Sequence, residues 1–159
     1  MYNTQLKVLN FSILEKADKE SIIVSLEPML LKKKSSPSKL KEGDCLDLGS
    51  EPPSLEIRRA STLLARASMG RYGRKFALRI ESLEREEEDD TVKKSKKSRI
   101  VRAPLALMSE KELKSGNIVL FDWNIYEGFP LFLDDRLFAS ASLYFQNGRY
   151  ILEIEELCQ

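Results

Sequence analysis

Apolar residues in this chain recur mainly at every second position, in short runs broken by Gly, Pro, Asn and charged clusters. Phe76, Leu78 and Ile80 keep a period of two against Arg79 and Glu81. Leu63, Ala65, Ala67 and Met69 form one face of a run whose other face is Leu64, Arg66 and Ser68. That period belongs to strands, because successive side chains on a pleated backbone point to opposite sides. The β-branched run Ile22–Leu26 predicts another strand, stopped by Pro28. It is expected to pair back as a hairpin on Leu6–Ile13, with Ala17–Glu20 as the turn. Met29-Leu30-Leu31 then leads into a loop over Lys32–Ser38. Cys45–Leu48 and Leu55–Ile57 are further strands, and Gly70–Gly73 is a turn.

Further on, Arg99–Leu105 is strand-like, with Pro104 suited to a sheet edge. Ser109-Glu110-Lys111-Glu112 has the spacing of a capping box and predicts a short helical turn. Ile118–Trp123 is apolar on both faces, which marks a strand covered on both sides. After a loop at Asn124–Gly128, the runs Phe129–Leu133, Leu137–Phe145 and Arg149–Glu155 form a meander. Its turns are Asp134-Asp135-Arg136 and Gln146-Asn147-Gly148, the Asn-Gly pair being a strong hairpin signal. The fold class is therefore mainly β, with one or two short helices.

The pattern occurs twice. Leu113-Lys114-Ser115-Gly116-Asn117 restates Leu40-Lys41-Glu42-Gly43-Asp44, seventy-three residues on. Leu137–Ser142 restates Leu63–Ser68, and Tyr150–Leu157 restates Phe76–Leu83, each seventy-four residues on. Repetition at near-constant spacing points to two similar modules. Between them Glu84–Ser98 is acidic, then basic, with Val92 as its one hydrophobe, the composition of a solvated linker. The expected organisation is a first module over 1–83, a linker over 84–98 and a second module over 99–159. A module of about 60–70 residues buries only about 60% of its unfolded surface. Two such modules are expected to share a core.

Composition narrows the function classes. Of 159 residues, 42% are hydrophobic and 32% charged, with a net charge of +1, so no global field draws the chain to nucleic acid or anionic lipid. No apolar run approaches the about 20 residues of a membrane helix, and no signal peptide is evident, which predicts a cytoplasmic protein. Histidine is absent, removing the usual general base and metal ligand. Cys45 and Cys158 are too few for a zinc site, and they are expected to be free thiols: a half-buried small side chain and a frayed-end one. No nucleophile stands beside a recognisable base, so neither an active site nor a cofactor is expected. Asp134-Asp135 reads as a turn former. The basic stretch Lys93–Arg102 has no interleaved aromatics and follows an acidic block, so nucleic acid is the alternative partner and not the expected one.

What remains is apolar side chains on faces that alternation leaves outward. If Leu137, Ala139, Ala141 and Leu143 face the core, Phe138 and Tyr144 project away with Ser140 and Ser142. Phe132 stands opposite Leu131 and Leu133, and Leu64 is the first copy's counterpart of Phe138. Large apolar residues on an outer face mark an interaction surface, so Leu64, Phe132, Phe138 and Tyr144 are the candidate partner-binding residues. The copies differ outwardly at Leu64/Phe138, Arg66/Ser140 and Arg71/Phe145, and partner choice is expected there.

The turn Leu-x-x-Gly-[Asp/Asn], its following strand, the Ala-x-Ala strand and a last strand of the Phe/Tyr-x-Leu-x-Ile-Glu type together resemble a known family. Leu40–Leu48, Leu63–Ala67 and Phe76–Ile80 carry the resemblance in the first copy. Leu113, Gly116, Asn117, Ala139, Ala141, Gly148, Leu152 and Ile154 carry it in the second. The family is that of surface-presentation-of-antigens (SPOA) domains. They are found in the cytoplasmic ring, or sorting platform, of bacterial type III secretion systems and in flagellar motor-switch rings. The resemblance implies two small β-roll modules intertwined as an intramolecular pseudo-dimer. It implies a non-enzymatic scaffold at the cytoplasmic face of the inner-membrane-associated apparatus. The implied partners are other ring subunits, the regulator that carries the export ATPase, and chaperone–cargo complexes, with self-association also open. The flagellar branch of the family is the nearer alternative, and a small-barrel nucleic-acid binder the more distant one.

Overall fold

The computed structural model describes residues 5–7, 18–32, 41–72, 75–87, 98–122, 129–134 and 136–158. Thirteen strands appear there: β1 (Gln5–Lys7), β2 (Ile22–Leu26), β3 (Met29–Lys32), β4 (Cys45–Gly49), β5 (Ser54–Arg59), β6 (Thr62–Tyr72), β7 (Lys75–Glu87), β8 (Ser98–Arg102), β9 (Pro104–Met108), β10 (Ile118–Asp122), β11 (Phe129–Leu133), β12 (Arg136–Gln146) and β13 (Arg149–Leu157). Among the described residues the one helical element is a 3-10 turn at Glu110–Glu112. No helix among them is long and apolar enough to cross a membrane.

The strands form two curled sheets. Sheet A runs β1-β10-β7-β6-β5-β2-β9, and sheet B runs β3-β8-β11-β12-β13-β4. Each sheet has a meander from one copy (β5-β6-β7 or β11-β12-β13) and borrows strands from the other. β4 leaves the first copy to pair with β13, while β10 leaves the second to pair with β7. β3 pairs with β8, and β9 pairs with β2. The exchange is reciprocal to the residue. The Gly43 N–H donates to the Ile154 carbonyl at 2.7 Å, and the Ile154 N–H to the Asp44 carbonyl at 2.8 Å. In the other direction the Gly116 N–H donates to the Ile80 carbonyl at 2.7 Å, and the Ile80 N–H to the Asn117 carbonyl at 2.9 Å. Both turn glycines sit at positive φ (+88° and +82°), a conformation that the lack of a Cβ makes cheap.

Register repeats as faithfully as topology. Ala67 faces Ile80 and Met69 faces Leu78 in sheet A; Ala141 faces Ile154 and Leu143 faces Leu152 in sheet B. The bulge at Ile57/Arg58 recurs at Leu131/Phe132. Equivalent residues also meet one another where the halves join. The Phe76 and Tyr150 rings lie 6.4 Å apart, and the Arg71 guanidinium lies 4.5 Å from the Phe145 ring centroid. The fold is thus two small β modules, intertwined into one pseudo-two-fold unit around one apolar core that draws on both sheets. Neither copy could fill that core alone, since each meander's apolar inner face is closed by strands of the other.

Several local expectations change. β2 does not close a hairpin on the N-terminal run: it pairs with β5 and β9, and β1 pairs in parallel with β10. Residues 8–17 lie outside the described residues, as do most of the predicted loop over Lys32–Ser38 and the loop over 124–128. Met29–Lys32 is a strand, because β8 offers it a partner the local pattern could not show. Of the turn expected at Gly70–Gly73, Gly70 to Tyr72 belong to β6, and residues 73–74 lie outside the described residues. Residues 84–87, polar enough to read as linker, extend β7 against β6, where the Arg66 guanidinium meets the Glu84 carboxylate at 2.8 Å. Cross-strand charge pairs of this kind stabilise a strand that carries no apolar face. Residues 88–97 lie outside the described residues.

The capping box forms in part: Ser109 Oγ accepts from the Lys111 N–H at 3.4 Å, while Asn117 Nδ2 donates to the Glu112 carboxylate at 3.1 Å. Pro104 opens β9, which is an edge strand, and Asn147-Gly148 turns with both φ positive (+53° and +75°) as a two-residue hairpin requires.

Candidate interaction surface

The four side chains nominated from alternation fall on different sheets. Phe132 and Phe138 lie on the outward side of sheet B, each half-buried. Phe138 packs its ring partly against the core, and its carbonyl accepts from the Cys158 N–H at 2.8 Å. Tyr144 is half-buried on the same strand, with its phenol oxygen 3.6 Å from the sulfur of Cys45 on β4. That contact and partial desolvation push the Tyr144 phenol up to about 12. Cys45 and Cys158 are both free; Cys45 is exposed and Cys158 half-buried, the reverse of the expected order. Burial pushes the Cys158 thiol up, and Glu156 adds to the effect.

Leu64 belongs to sheet A. It lines a cleft of about 620 Å³ with Leu83, Leu113, Thr62, Arg59 and Glu84, and Glu110 closes the rim. Leu83 is 53% exposed there, the most exposed large apolar residue among those described. Leu83 is not among the candidates: it is the last residue of the first module, just before the expected linker. Leu137, expected in the core, is 43% exposed, whereas its counterpart Leu63 is buried. The difference is coverage: Leu63 is flanked by Glu86 of the long β7, while β13 pairs no further than Leu157 with Ala139.

The two outward faces share a backbone and differ in chemistry. On sheet A the Glu56 carboxylate, almost wholly buried, meets Arg58 Nε at 3.1 Å and the Arg66 guanidinium at 3.7 Å. Arg66 continues to Glu84, so four charges form one compensated chain. Seventy-four residues on, those positions read Pro130, Phe132, Ser140 and Cys158. Sheet B therefore presents Phe132 and Ser140 where sheet A presents the ion-paired Arg58 and Arg66, with Phe138 in the place of Leu64 and Tyr144 in the place of Gly70, a surface suited to apolar burial. Arg71 and Phe145, expected to differ for the sake of partners, are spent on each other at the join between the halves.

Among the described residues no group of three acidic, cysteine or histidine side chains could hold a metal ion. Compared with known proteins, the chain matches no family model and no curated sequence.

Proposed function

We propose that this chain is a non-enzymatic scaffold subunit of the cytoplasmic ring of a type III secretion apparatus. In this reading it works at the cytoplasmic face of the inner membrane, joins other ring subunits, docks the ATPase regulator and helps receive chaperone–cargo complexes. The observation that carries the reading is the reciprocal strand exchange between two tandem modules, the arrangement that the SPOA resemblance implies. The apolar outer face of sheet B adds support, because at Phe132 and Ser140 the equivalent positions of sheet A carry the ion-paired Arg58 and Arg66.

The test borrows that neighbour's chemistry. Phe132→Arg with Ser140→Arg installs on sheet B the residues found at Arg58 and Arg66 of sheet A. Both positions are half-buried at most, so folding is expected to survive. Phe138 is the poorer choice, since its ring also packs on the core. Affinity purification of the tagged chain from its native cell should recover ring subunits and the ATPase regulator, and the double variant should lose the regulator. Recovery of rotor proteins instead would move the assignment to the flagellar branch. Recovery of nucleic acid through Lys93–Arg102 would sink the scaffold reading.

A further inference from the structure

Where the two halves join, residues related by the seventy-four-residue offset meet each other. Phe76 lies beside Tyr150 with ring centroids 6.4 Å apart, and the Arg71 guanidinium is 4.5 Å from the Phe145 ring centroid. Arg71 stands opposite Phe76 near the end of the β6–β7 ladder, and Phe145 opposite Tyr150 near the end of the β12–β13 ladder. The Phe145 ring also leans on Tyr150, 4.9 Å away and tilted by 60°. Contact between equivalent residues is the mark of a two-fold axis, since a side chain beside such an axis meets its own counterpart. The pseudo-axis of the fold therefore passes among these four side chains.

That position fixes what like-with-like pairing would bring together. Two copies of the first half, joined in the same way, would set Arg71 against a second Arg71. Two copies of the second half would set Phe145 against Phe145. The mixed pair alone lays a guanidinium on an aromatic face, whereas two guanidiniums repel and two rings have no cation to hold. Phe76 and Tyr150 carry no such preference, because aromatic meets aromatic whichever halves combine. The exchanged backbone bonds are equally indifferent: Gly43 with Ile154 repeats Gly116 with Ile80. Discrimination between halves falls to side chains that differ between the copies, and at the axis the charged difference is Arg71 against Phe145.

We propose that Arg71 and Phe145 are specificity-determining residues for the pairing of the halves. Their contact directs each half to its unlike counterpart and disfavours pairing with the same half of a second copy of this chain. Arg71 is exposed and Phe145 half-buried, so the pair acts on the choice of partner more than on filling the interior. The inference rests on the join alone and holds whether or not the secretion-ring reading does.

The test uses the whole chain with a site-specific protease sequence inserted after Val92, folded intact and then cut. The cut chain is unfolded in denaturant, refolded and weighed by native mass spectrometry, which separates mixed pairs from like pairs. Mixed pairs should outnumber like pairs several-fold, where indifferent halves would give about equal numbers. Arg71→Phe, which leaves ring against ring in every combination, should lower that ratio by about threefold or more. Phe145→Arg, which sets arginine against arginine in every combination, should lower it similarly. The double exchange, Arg71→Phe with Phe145→Arg, should restore the ratio, a rescue that a merely structural role would not give. Denaturant unfolding of the uncut chains gives an independent reading: the two substitutions should be non-additive, the double variant recovering what Phe145→Arg loses. A ratio unmoved by Arg71→Phe would overturn the proposal, and so would additive effects in the uncut chains.

Discussion

Sheets A and B are close to the same object built twice, and they differ in two ways: what covers the edge and what faces out. The borrowed strand β10 is covered by β1, and its Val119, Leu120 and Phe121 are buried. The borrowed strand β4 ends its sheet with Cys45 and Asp47 exposed. Outward, sheet A neutralises charge through Glu56, Arg58, Arg66 and Glu84, while sheet B keeps Phe132, Phe138 and Tyr144. Duplicated backbones hold their shape through turns and inward faces, which leaves edges and outer faces free to diverge.

Separating the halves should break this comparison most severely. Residues 1–83 produced alone lack β9 and β10, and residues 99–159 alone lack β3 and β4. Neither fragment should give a cooperative thermal transition as a monomer, and mixing them should restore one. A cooperative monomeric fragment would mean that the exchange is dispensable. Next in size is truncation beneath the two edges. Phe121→Ala should cost about 3–5 kcal/mol in denaturant unfolding, and Leu48→Ala only about 1–2 kcal/mol, because Leu48 is half-buried. Equal costs would show that the two side chains are equally covered in solution.

The turn glycines offer a finer comparison. A Cβ at Gly43 or Gly116 meets nothing within 4 Å, so the penalty of alanine is conformational alone, about 1–2 kcal/mol at each. Matching values would confirm that the two turns do the same work; a gap above about 1 kcal/mol would split them.

Smallest is a pH effect that one half has and the other lacks. The Asp47 carboxylate accepts from Arg149 Nε at 2.7 Å and from the Gly49 N–H at 2.9 Å, which together hold it below the usual carboxylate range. Its folded value is therefore depressed, so its contribution to stability is present above the unfolded value and lost as pH falls through the folded one. Sheet A has Leu120 at the equivalent place. Carboxyl titration by NMR should find Asp47 ionising below its ordinary value of about 3.9, and Arg149→Met should bring it back up. An unshifted Asp47 would dissolve the pair.

Much of the architecture was legible because turns and alternation are local. Gly43 and Gly116, Asn147-Gly148 and the Ala-x-Ala strands announce themselves in sequence. The identity of β4's partner does not, since alternation tells which side chains point inward but not which sheet they join. Pairing of β3 with β8 and the extension of β7 through Glu87 likewise depend on partners far along the chain. The candidate surface was legible in outline. Phe132, Phe138 and Tyr144 were nominated, but the exposure of Leu83 and Leu137 depends on how far β7 and β13 run beside their neighbours.

Reciprocal exchange also sets a timetable for synthesis. Gly43 must wait for Ile154 to leave the ribosome, and Gln5 for Leu120, before either finds its mate. A nascent first half therefore holds β7 and β2 unpartnered on their outer sides until β10 and β9 emerge. Contacts this distant in sequence form slowly, and an adjacent nascent chain carries the same missing strands. Crowded polysomes are thus where interlocked oligomers of this protein would arise, and slowing initiation should raise the yield of correctly closed monomer.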